Sequence, residues 1–237
     1  MENVDFLAQL TKIKDPVVIV NQYQKQPLEA PKLGNNVQVI NSQSRGLSHS
    51  RNIGLNAVGT DFVMICDDDI LLVLENIARV KSEIQETPET AMFFTRLQKS
   101  NGELWRQDYE DNSFAITGES FSALRRIQRI NSMEQVYNCR FLKSNQLVFN
   151  TQFGAGSGRF QLGEETLMTW SILKSGGALR YLPFITRVHP TISSGSIFSI
   201  QSARAILAVH WKIFGALSLV TFSGFVVRSL LRSIKVR

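Results

Sequence analysis

The sequence predicts an α/β fold with a mostly parallel central sheet, helices on its faces and a helical C-terminal tail. In the first half of the chain, apolar runs of strand length alternate with segments of helical periodicity, the order typical of a parallel sheet. Polar residues follow directly after these runs, and in parallel sheets ligands bind at the carboxyl ends of the strands. The 237 residues are 43% hydrophobic and 19% charged, which excludes a disordered chain and is enough for one sizeable core.

Local patterns predict the first three strands and the helix between them. An apolar run over residues 17–20 predicts a strand that ends at Asn21-Gln22, and a second strand is expected over 37–40. A serine start favours a helix over 51–58. The run 62–66 is apolar throughout, which is typical of a strand buried on both faces.

The later elements alternate in the same way. Apolar positions at helical spacing predict a helix over 74–84, and Asn101-Gly102 predicts a hairpin turn. A further helix is expected to begin near Glu164 and to end at Gly176-Gly177, where glycine suits the C-terminal cap. The other expected features are strands over 91–97, 132–140 and 179–182 and a glycine-rich loop over 153–163.

Three consecutive aspartates follow the third predicted strand directly. Asp67, Asp68 and Asp69 repel one another, which raises their pKa values and costs stability unless a cation is bound. Magnesium and manganese prefer such oxygen ligands and usually bind one or two carboxylates together with a substrate phosphate. Asp67 and Asp69 point to the same side if the strand continues. The alternative is a solvated acidic turn that caps the next helix.

A pair of glutamates opens the predicted helix after the glycine-rich loop. Glu164 and Glu165 follow Gly163, and the partial positive charge of a helix N-terminus favours ionised carboxylates near neutral pH. An ionised carboxylate beside a reaction centre can act as a general base. The alternative is ordinary capping of the first helical turn.

The net charge of +6 is unevenly distributed along the chain. All 20 carboxylates lie within residues 1–165, whereas residues 197–237 carry six basic side chains and no acidic one. We therefore expect residues 196–237 to be a basic amphipathic helical segment that attaches a domain of residues 1–195 to the anionic inner face of the plasma membrane, leaving the protein cytoplasmic. Packing of this segment on the domain and a homodimer contact are the alternatives. Most of the apolar residues between its basic side chains are aliphatic and suit a lipid surface, which argues against nucleic acid as a partner.

The motifs taken together resemble a known family. Residues 46–55 (GLSHSRNIGL), then Asp61-Phe62 and the three aspartates, resemble the nucleotide-sugar-binding half of family 2 glycosyltransferases of the bacterial surface-polysaccharide type, which have the GT-A fold. Five later segments resemble the acceptor half of these enzymes: FGAG at 153–156, GEE at 163–165, LKSG at 173–176, YLP at 181–183 and HP at 189–190. The resemblance covers roughly residues 15–195.

The resemblance implies inverting transfer of a sugar from a nucleoside diphosphate donor, most simply a UDP-sugar, to a hydroxyl of a glycan or lipid-linked acceptor. Glu165 matches the catalytic base, which is usually an aspartate, and the choice between Glu165 and Glu164 stays open. A histidine near His189 completes the metal shell in some relatives; the alternative is a structural loop histidine. Asp67 and Asp69 match the Asp-x-Asp motif that holds Mn²⁺ or Mg²⁺. The residues implied at the donor nucleotide are Asn21, Gln22, Arg51, Asp67 and Asp68.

Two other function classes fit parts of the sequence. A nucleotidyltransferase on a related fold is expected to carry a glycine-rich basic loop after its first strand, but residues 21–26 contain no glycine and one lysine. A non-catalytic membrane protein that binds nucleotide sugars has the same donor motifs as an enzyme. Donor turnover distinguishes it, because such a protein binds UDP with manganese and transfers nothing.

Overall fold

A computed structural model describes residues 9–10, 12–23, 35–190, 199–218 and 221–223. The strands are β1 (Val17–Gln22), β2 (Val37–Ser42), β3 (Phe62–Met64), β4 (Leu71–Leu72), β5 (Met92–Lys99), β6 (Phe114–Ile116), β7 (Gln135–Asn138) and β8 (Leu179–His189). The helices are α1 (Leu47–Ala57), α2 (Leu74–Glu86), α3 (Phe121–Ile127), α4 (Cys139–Ser144), α5 (Glu164–Lys174) and α6 (Ile200–Phe214). Short 3₁₀ turns cover Ser132–Glu134 and Gly215–Leu217.

The strands form two sheets, and their directions correct one prediction. β1 and β2 pair in parallel, while the larger sheet has the order β3-β7-β5-β8-β4, with β6 also paired to β8. Only β5 and β8 are parallel in the larger sheet, and its other described pairings are antiparallel. The α/β class is confirmed, but the expectation of a mostly parallel sheet is wrong. Strand–helix alternation predicts parallel neighbours, whereas β7 inserts between β3 and β5 and runs opposite to both.

The core lies on both faces of β5. Phe93 packs with Val80 of α2 on one face, and Phe94 packs with Leu124 of α3 and Ile172 of α5 on the other. Every residue from Met92 to Thr95 is buried, so the first half of this strand shows no alternation between buried and exposed side chains.

Most predicted elements are present, with shifted ends. α1 begins at Leu47, one turn earlier than predicted, because Gly46 has a φ of 105° and allows the chain to turn there. The segment predicted as one strand over 132–140 divides into a 3₁₀ turn, β7 and the start of α4. The last strand continues to His189, beyond its predicted end at residue 182.

Helix α6 is the first described element of the C-terminal segment. Its Val209 packs with Phe153 and Leu167, and Phe214 contacts the Trp170 ring at 6.0 Å between centroids. This is the packing that the sequence left open as an alternative to membrane contact. Among the residues described, no helix has the length and apolar content to cross a bilayer. The last basic residues of the predicted segment, 228–237, lie outside the described residues.

Candidate active site

The three aspartates lie in a turn between β3 and β4. The Ile70 amide donates to the Asp67 carbonyl at 3.4 Å, and the Asp67 amide donates to the Met133 sulfur at 3.3 Å. Ile70 is buried against Met133 and Leu97, and this packing anchors the turn on the larger sheet. Asp68 is exposed, whereas Asp67 and Asp69 are half-buried. The turn therefore separates the two outer carboxylates from the middle one.

His189, at the end of β8, faces the aspartate turn. Its Nε2 lies 4.0 Å from Asp69 Oδ2, and its Nδ1 donates to the Pro190 carbonyl at 2.7 Å, which leaves Nε2 as the acceptor atom. The Trp105 ring packs on the imidazole at 5.0 Å between centroids. The ring is thus held on one side by an aromatic contact and turned toward Asp69.

The Asp69–His189 pair fits a divalent cation with few protein ligands. Asp69 Oδ1 is buried and has no hydrogen-bond partner among the described residues. No group of three or more His, Cys, Asp or Glu side chains in the described part of the chain is arranged as a complete metal cage. Magnesium and manganese commonly take one or two carboxylates and complete their shell with phosphate and water. The residues present match that incomplete type of site.

The Asp67 carboxyl group is affected by Asp69 and His189 and also by Arg51, which lies on α1. Burial raises the pKa of Asp67, and the neighbouring Asp69 carboxylate raises it further, while Arg51 and His189 oppose the shift. Both Arg51 and Asp69 are therefore close enough to Asp67 for their charges to act on it. A bound cation would favour the ionised form of this carboxyl group.

Arg51 and Glu164 form a buried ion pair between α1 and α5. Arg51 Nη1 donates to Glu164 Oε1 at 2.9 Å, and the two side chains are 3% and 5% exposed. Arg51 Nε and Nη2 and Glu164 Oε2 are buried and have no described hydrogen-bond partner. The family resemblance implies that Arg51 lies at the donor nucleotide; the structure shows its contact with Glu164, and the donor contact stays a prediction.

The glycine-rich loop packs closely around this pair. Gly154 has a φ of 101°, and a Cβ there would lie 3.1 Å from Ser48 Oγ and 3.2 Å from Glu164 Cδ. The Leu47 amide donates to the Ala155 carbonyl at 2.8 Å, so the loop also fixes the start of α1. The two halves of the predicted site therefore meet through glycines that leave no room for a side chain.

Glu165 is half-buried beside Glu164 in the first turn of α5. Burial raises the pKa of Glu165 to about 8, and the charge of the neighbouring Glu164 carboxylate raises it as well, against the opposing charge of Arg51. The expectation that the helix N-terminus keeps both glutamates ionised near neutral pH is therefore wrong for Glu165. Desolvation and a like charge outweigh the helix dipole here.

The two amides at the end of β1 are engaged within the protein. Asn21 Nδ2 donates to Asn41 Oδ1 at 2.8 Å, across the parallel register of β1 and β2. Gln22 Nε2 donates to the Gly46 carbonyl at 3.0 Å, which ties the strand end to the start of α1. These contacts place both residues at the rim of the site, where their donor-binding role stays a prediction.

A model of known families identifies the family of the chain. The model described as Glycosyl transferase family 2 matches residues 7–157, which is more than half of the chain. The chain belongs to glycosyltransferase family 2. The resemblance read from the motifs is thereby confirmed, and the family consists of enzymes that transfer glycosyl groups. No curated protein matches the sequence.

Solved structures show that this family 2 chain has the GT-A fold. The S. aureus TarS 1–349 complex with UDP-GlcNAc matches with a TM-score of 0.67 and 18% identity over 90% of this chain and 62% of that one. The structure of TarS 1–349 without a named ligand matches with a TM-score of 0.64 and 16% identity, over 89% of this chain and 60% of that one. GalNAc-T7 with UDP, GalNAc and Mn²⁺ matches with a TM-score of 0.57 and 14% identity, over 88% of this chain and 43% of that one. At these identities the likeness shows the fold alone, and the chain spans about 60% of the length of the TarS fragment.

The structure of this glycosyltransferase family member adds a residue that the sequence analysis missed. Arg187 on β8 is fully buried, and its Nη2 donates to the Gln135 carbonyl at 2.8 Å. Its Nε and Nη1 have no hydrogen-bond partner in the described ranges. Nothing in the local sequence distinguishes it from a surface arginine, except its position two residues before His189.

Proposed function

We propose that this chain is an inverting, metal-dependent glycosyltransferase that moves a sugar from a UDP-sugar to a hydroxyl group in bacterial surface-polysaccharide synthesis. The observation that carries the proposal is the position of Asp67. This carboxyl group is affected by the charges of both Arg51 and Asp69, and Arg51 contacts Glu164, which supports a single site made of the aspartate turn and the first turn of α5. One side of that site offers ligands for a cation, and the other offers a base.

On the donor side, Asp69 and His189 would hold Mn²⁺ or Mg²⁺, with Asp67 next to them. When bound, the cation neutralises charge that develops on the departing diphosphate, which otherwise leaves slowly. Arg51 contributes a second positive charge, since its Nε and Nη2 are buried donors without a described partner. Asp68 is exposed beside this site and is available to the nucleotide.

On the acceptor side, Glu165 would take the proton of the attacking hydroxyl. Glu164 is engaged with Arg51, which favours Glu165 as the base. A base with a raised pKa accepts a proton more readily once it is ionised, and rates are best when its pKa lies near the working pH. Attack from the face opposite the diphosphate inverts the anomeric carbon.

Donor binding and turnover, measured separately, test this proposal. We expect wild-type protein with Mn²⁺ to bind UDP and to hydrolyse or transfer at least one sugar in a panel of UDP-sugars. Asp69→Asn should lose manganese-dependent UDP binding, and Glu165→Gln should bind UDP but lose transfer. Glu86→Gln is the control for both, because Glu86 is exposed at the end of α2 and lies outside the candidate site. UDP binding without turnover between pH 7 and 9 would identify a non-catalytic binder instead.

We also propose that α6 attaches the protein to an anionic membrane surface from the cytoplasmic side. Its buried face packs on the domain, but Ile200 and Trp211 on another face are 82% and 58% exposed. Arg204 lies between them on that face, and Lys212 is adjacent and exposed. Exposed apolar residues flanked by cations are typical of helices that lie in the headgroup region.

Vesicle flotation tests the attachment. We expect wild-type protein to float with vesicles of phosphatidylglycerol and phosphatidylcholine, and Ile200→Ser/Trp211→Ser to stay at the bottom. Val148→Ser is the matched control, because Val148 is 63% exposed and lies outside α6. Wild-type protein that does not float, but sediments as a dimer that the double variant abolishes, would show that this face binds a second copy of the chain.

A further inference from the structure

A fully buried glutamate follows Met133, the residue that contacts the aspartate turn, and the proposed mechanism does not use it. Glu134 is the last residue of a 3₁₀ turn and is 0% exposed. Its Oε1 accepts from the Tyr109 hydroxyl, and its Oε2 accepts from Arg106 Nη2 and from the Asn131 amide, both at 3.3 Å. Burial raises the pKa of Glu134 to about 7, against the opposing charge of Arg106. Because a carboxylate shielded from water is costly unless it is hydrogen-bonded, these three partners are held at fixed positions around it.

Two of these partners belong to the loop between β5 and β6, residues 100–113, here called the β5–β6 loop. The Tyr109 hydroxyl also accepts from the Leu97 amide at 3.0 Å, and the Arg106 guanidinium lies over the Tyr109 ring, 4.2 Å from its centroid. The Trp105 amide donates to the Leu97 carbonyl at 2.9 Å. The loop is therefore attached to the backbone of β5 on one side and to the buried carboxylate on the other.

The attached part of the loop carries Trp105, which contacts the candidate cation site directly. Its ring lies 5.0 Å from the His189 ring, measured between centroids. It also packs on the buried cluster of Ile70, Leu97 and Met133. Trp105 is therefore in contact both with the imidazole and with the apolar cluster that anchors the aspartate turn.

The 3₁₀ turn connects Glu134 to the aspartates by a second set of contacts. Asn131 and Glu134 form a capping box, in which Asn131 Oδ1 accepts from the Met133 amide at 2.9 Å. The Met133 sulfur in turn accepts from the Asp67 amide at 3.3 Å. One buried carboxyl group thus makes contacts that lead to both halves of the candidate cation site.

We propose that Glu134 is a positioning residue for the candidate cation site. Through its hold on the β5–β6 loop, it keeps the Trp105 ring against His189 and so keeps the imidazole turned toward Asp69. The inference rests on the proposed function, because this orientation matters only if the pair binds a cation. Most of the loop is exposed, so it has little burial of its own to fix Trp105. Groups that orient a metal-binding imidazole from behind commonly change metal affinity about 10–100-fold.

Imidazole proton resonances test whether Glu134 controls the contact between Trp105 and His189. The chain has three histidines, so His189→Gln identifies the Hε1 and Hδ2 signals of this residue. The ring current of the indole shifts these signals away from their position in Trp105→Leu. At pH 9, where an ordinary imidazole is neutral, Glu134→Gln should move them toward the Trp105→Leu position. Glutamine keeps the size of the side chain but removes the charge that holds Arg106.

Two further variants make this measurement specific. Tyr109→Phe removes one hydrogen bond to Glu134, should move the signals in the same direction, and decides the test if Glu134→Gln does not fold. Glu110→Gln is the matched control, because Glu110 is an exposed residue of the same loop that contacts Arg96 and Tyr181 through its backbone carbonyl. It removes the same charge and should leave the signals unchanged. Signals that stay at the wild-type position in the deciding variant overturn the proposal.

Manganese affinity tests whether this orientation matters for the cation site. With UDP present, the EPR signal of free Mn²⁺ measures binding, and Glu134→Gln should weaken it about tenfold. Trp105→Leu should weaken it at least as much. Trp105→Phe keeps an aromatic ring against the imidazole and should lose less affinity than Trp105→Leu, which a general loss of structure would not produce.

The two measurements separate this inference from the proposed function. A moved His189 signal without Mn²⁺ binding, even by the wild type, shows that Glu134 positions the ring and contradicts the cation site instead. Mn²⁺ binding by Glu134→Gln with wild-type affinity overturns the positioning role and leaves the proposed function standing.

Discussion

Two polar side-chain pairs of this chain differ in how completely they are removed from water. Arg51 and Glu164 are 2.9 Å apart and almost fully buried, whereas His189 and Asp69 are 4.0 Å apart and the Asp69 side chain is 43% exposed. The first pair joins α1 to α5 and fixes their spacing. The second leaves an acceptor nitrogen and a carboxylate oxygen facing each other. From this comparison we predict that the Arg51–Glu164 pair, here called the closed pair, positions the site, and that the Asp69–His189 pair, the open pair, binds a ligand.

The largest expected effect comes from opening the closed pair. Arg51→Met removes the partner of the buried Glu164 carboxylate, and an unpaired buried charge costs about 3–5 kcal/mol. Urea unfolding measures this loss directly. The double variant Arg51→Met/Glu164→Leu should recover most of it, because no charge is then left in the interior. A single variant as stable as the wild type would show that the pair does not hold the two helices together.

The open pair should respond in the opposite way, with activity lost and stability kept. Asp69→Asn should change the free energy of unfolding by less than about 1 kcal/mol, since the carboxylate is partly solvated. Donor turnover should fall by about 10²-fold or more, because a bound cation contributes several kcal/mol of charge stabilisation. Chelation of metal from wild-type protein should produce the same loss, and added Mn²⁺ should reverse it only in the wild type. Full activity in EDTA would contradict the assignment.

The role of Glu165 as a base predicts that transfer depends on pH and that donor binding does not. With its pKa raised to about 8, the carboxyl group is mainly protonated below that pH and cannot act as a base. We expect transfer to fall about tenfold per pH unit below 8 and to level off above it. Donor binding should not follow this profile. A rate that is flat from pH 6 to 9 would exclude Glu165 as the base.

The same shift has a consequence for stability. Because the pKa of Glu165 is higher in the folded chain than its ordinary value of 4.5, its stabilising contribution is complete below about pH 4.5 and is lost as the pH rises through 8. Glu165→Gln removes this dependence. The difference in unfolding free energy between variant and wild type should therefore grow in favour of the variant from pH 5 to pH 8.

Local sequence patterns predicted the elements that carry the site residues better than the long-range contacts that those residues make. The aspartate turn and the start of α5 follow from an apolar strand, a glycine and a helical stripe, all of which are short-range signals. The contact of Arg51 with Glu164 joins residues 113 positions apart, and the raised pKa of Glu165 results from burial. Neither is encoded by spacing. The direction of β7 was missed for the same reason, because pairing with β3 and β5 is a long-range choice.

The smallest expected effect concerns Gly154, whose missing side chain lets the closed pair form. Alanine at this position must adopt a φ of 101° and place its Cβ 3.2 Å from Glu164 Cδ, with Ser48 Oγ at 3.1 Å. We expect Gly154→Ala to cost about 1–3 kcal/mol through backbone strain and crowding. Gly158→Ala is the matched control, since Gly158 has a φ of 77° but nothing within 4 Å of its Cβ position. The control therefore measures strain alone. The excess loss in Gly154→Ala reports the displacement of Glu164, and equal losses in the two variants would show that the loop does not position the pair.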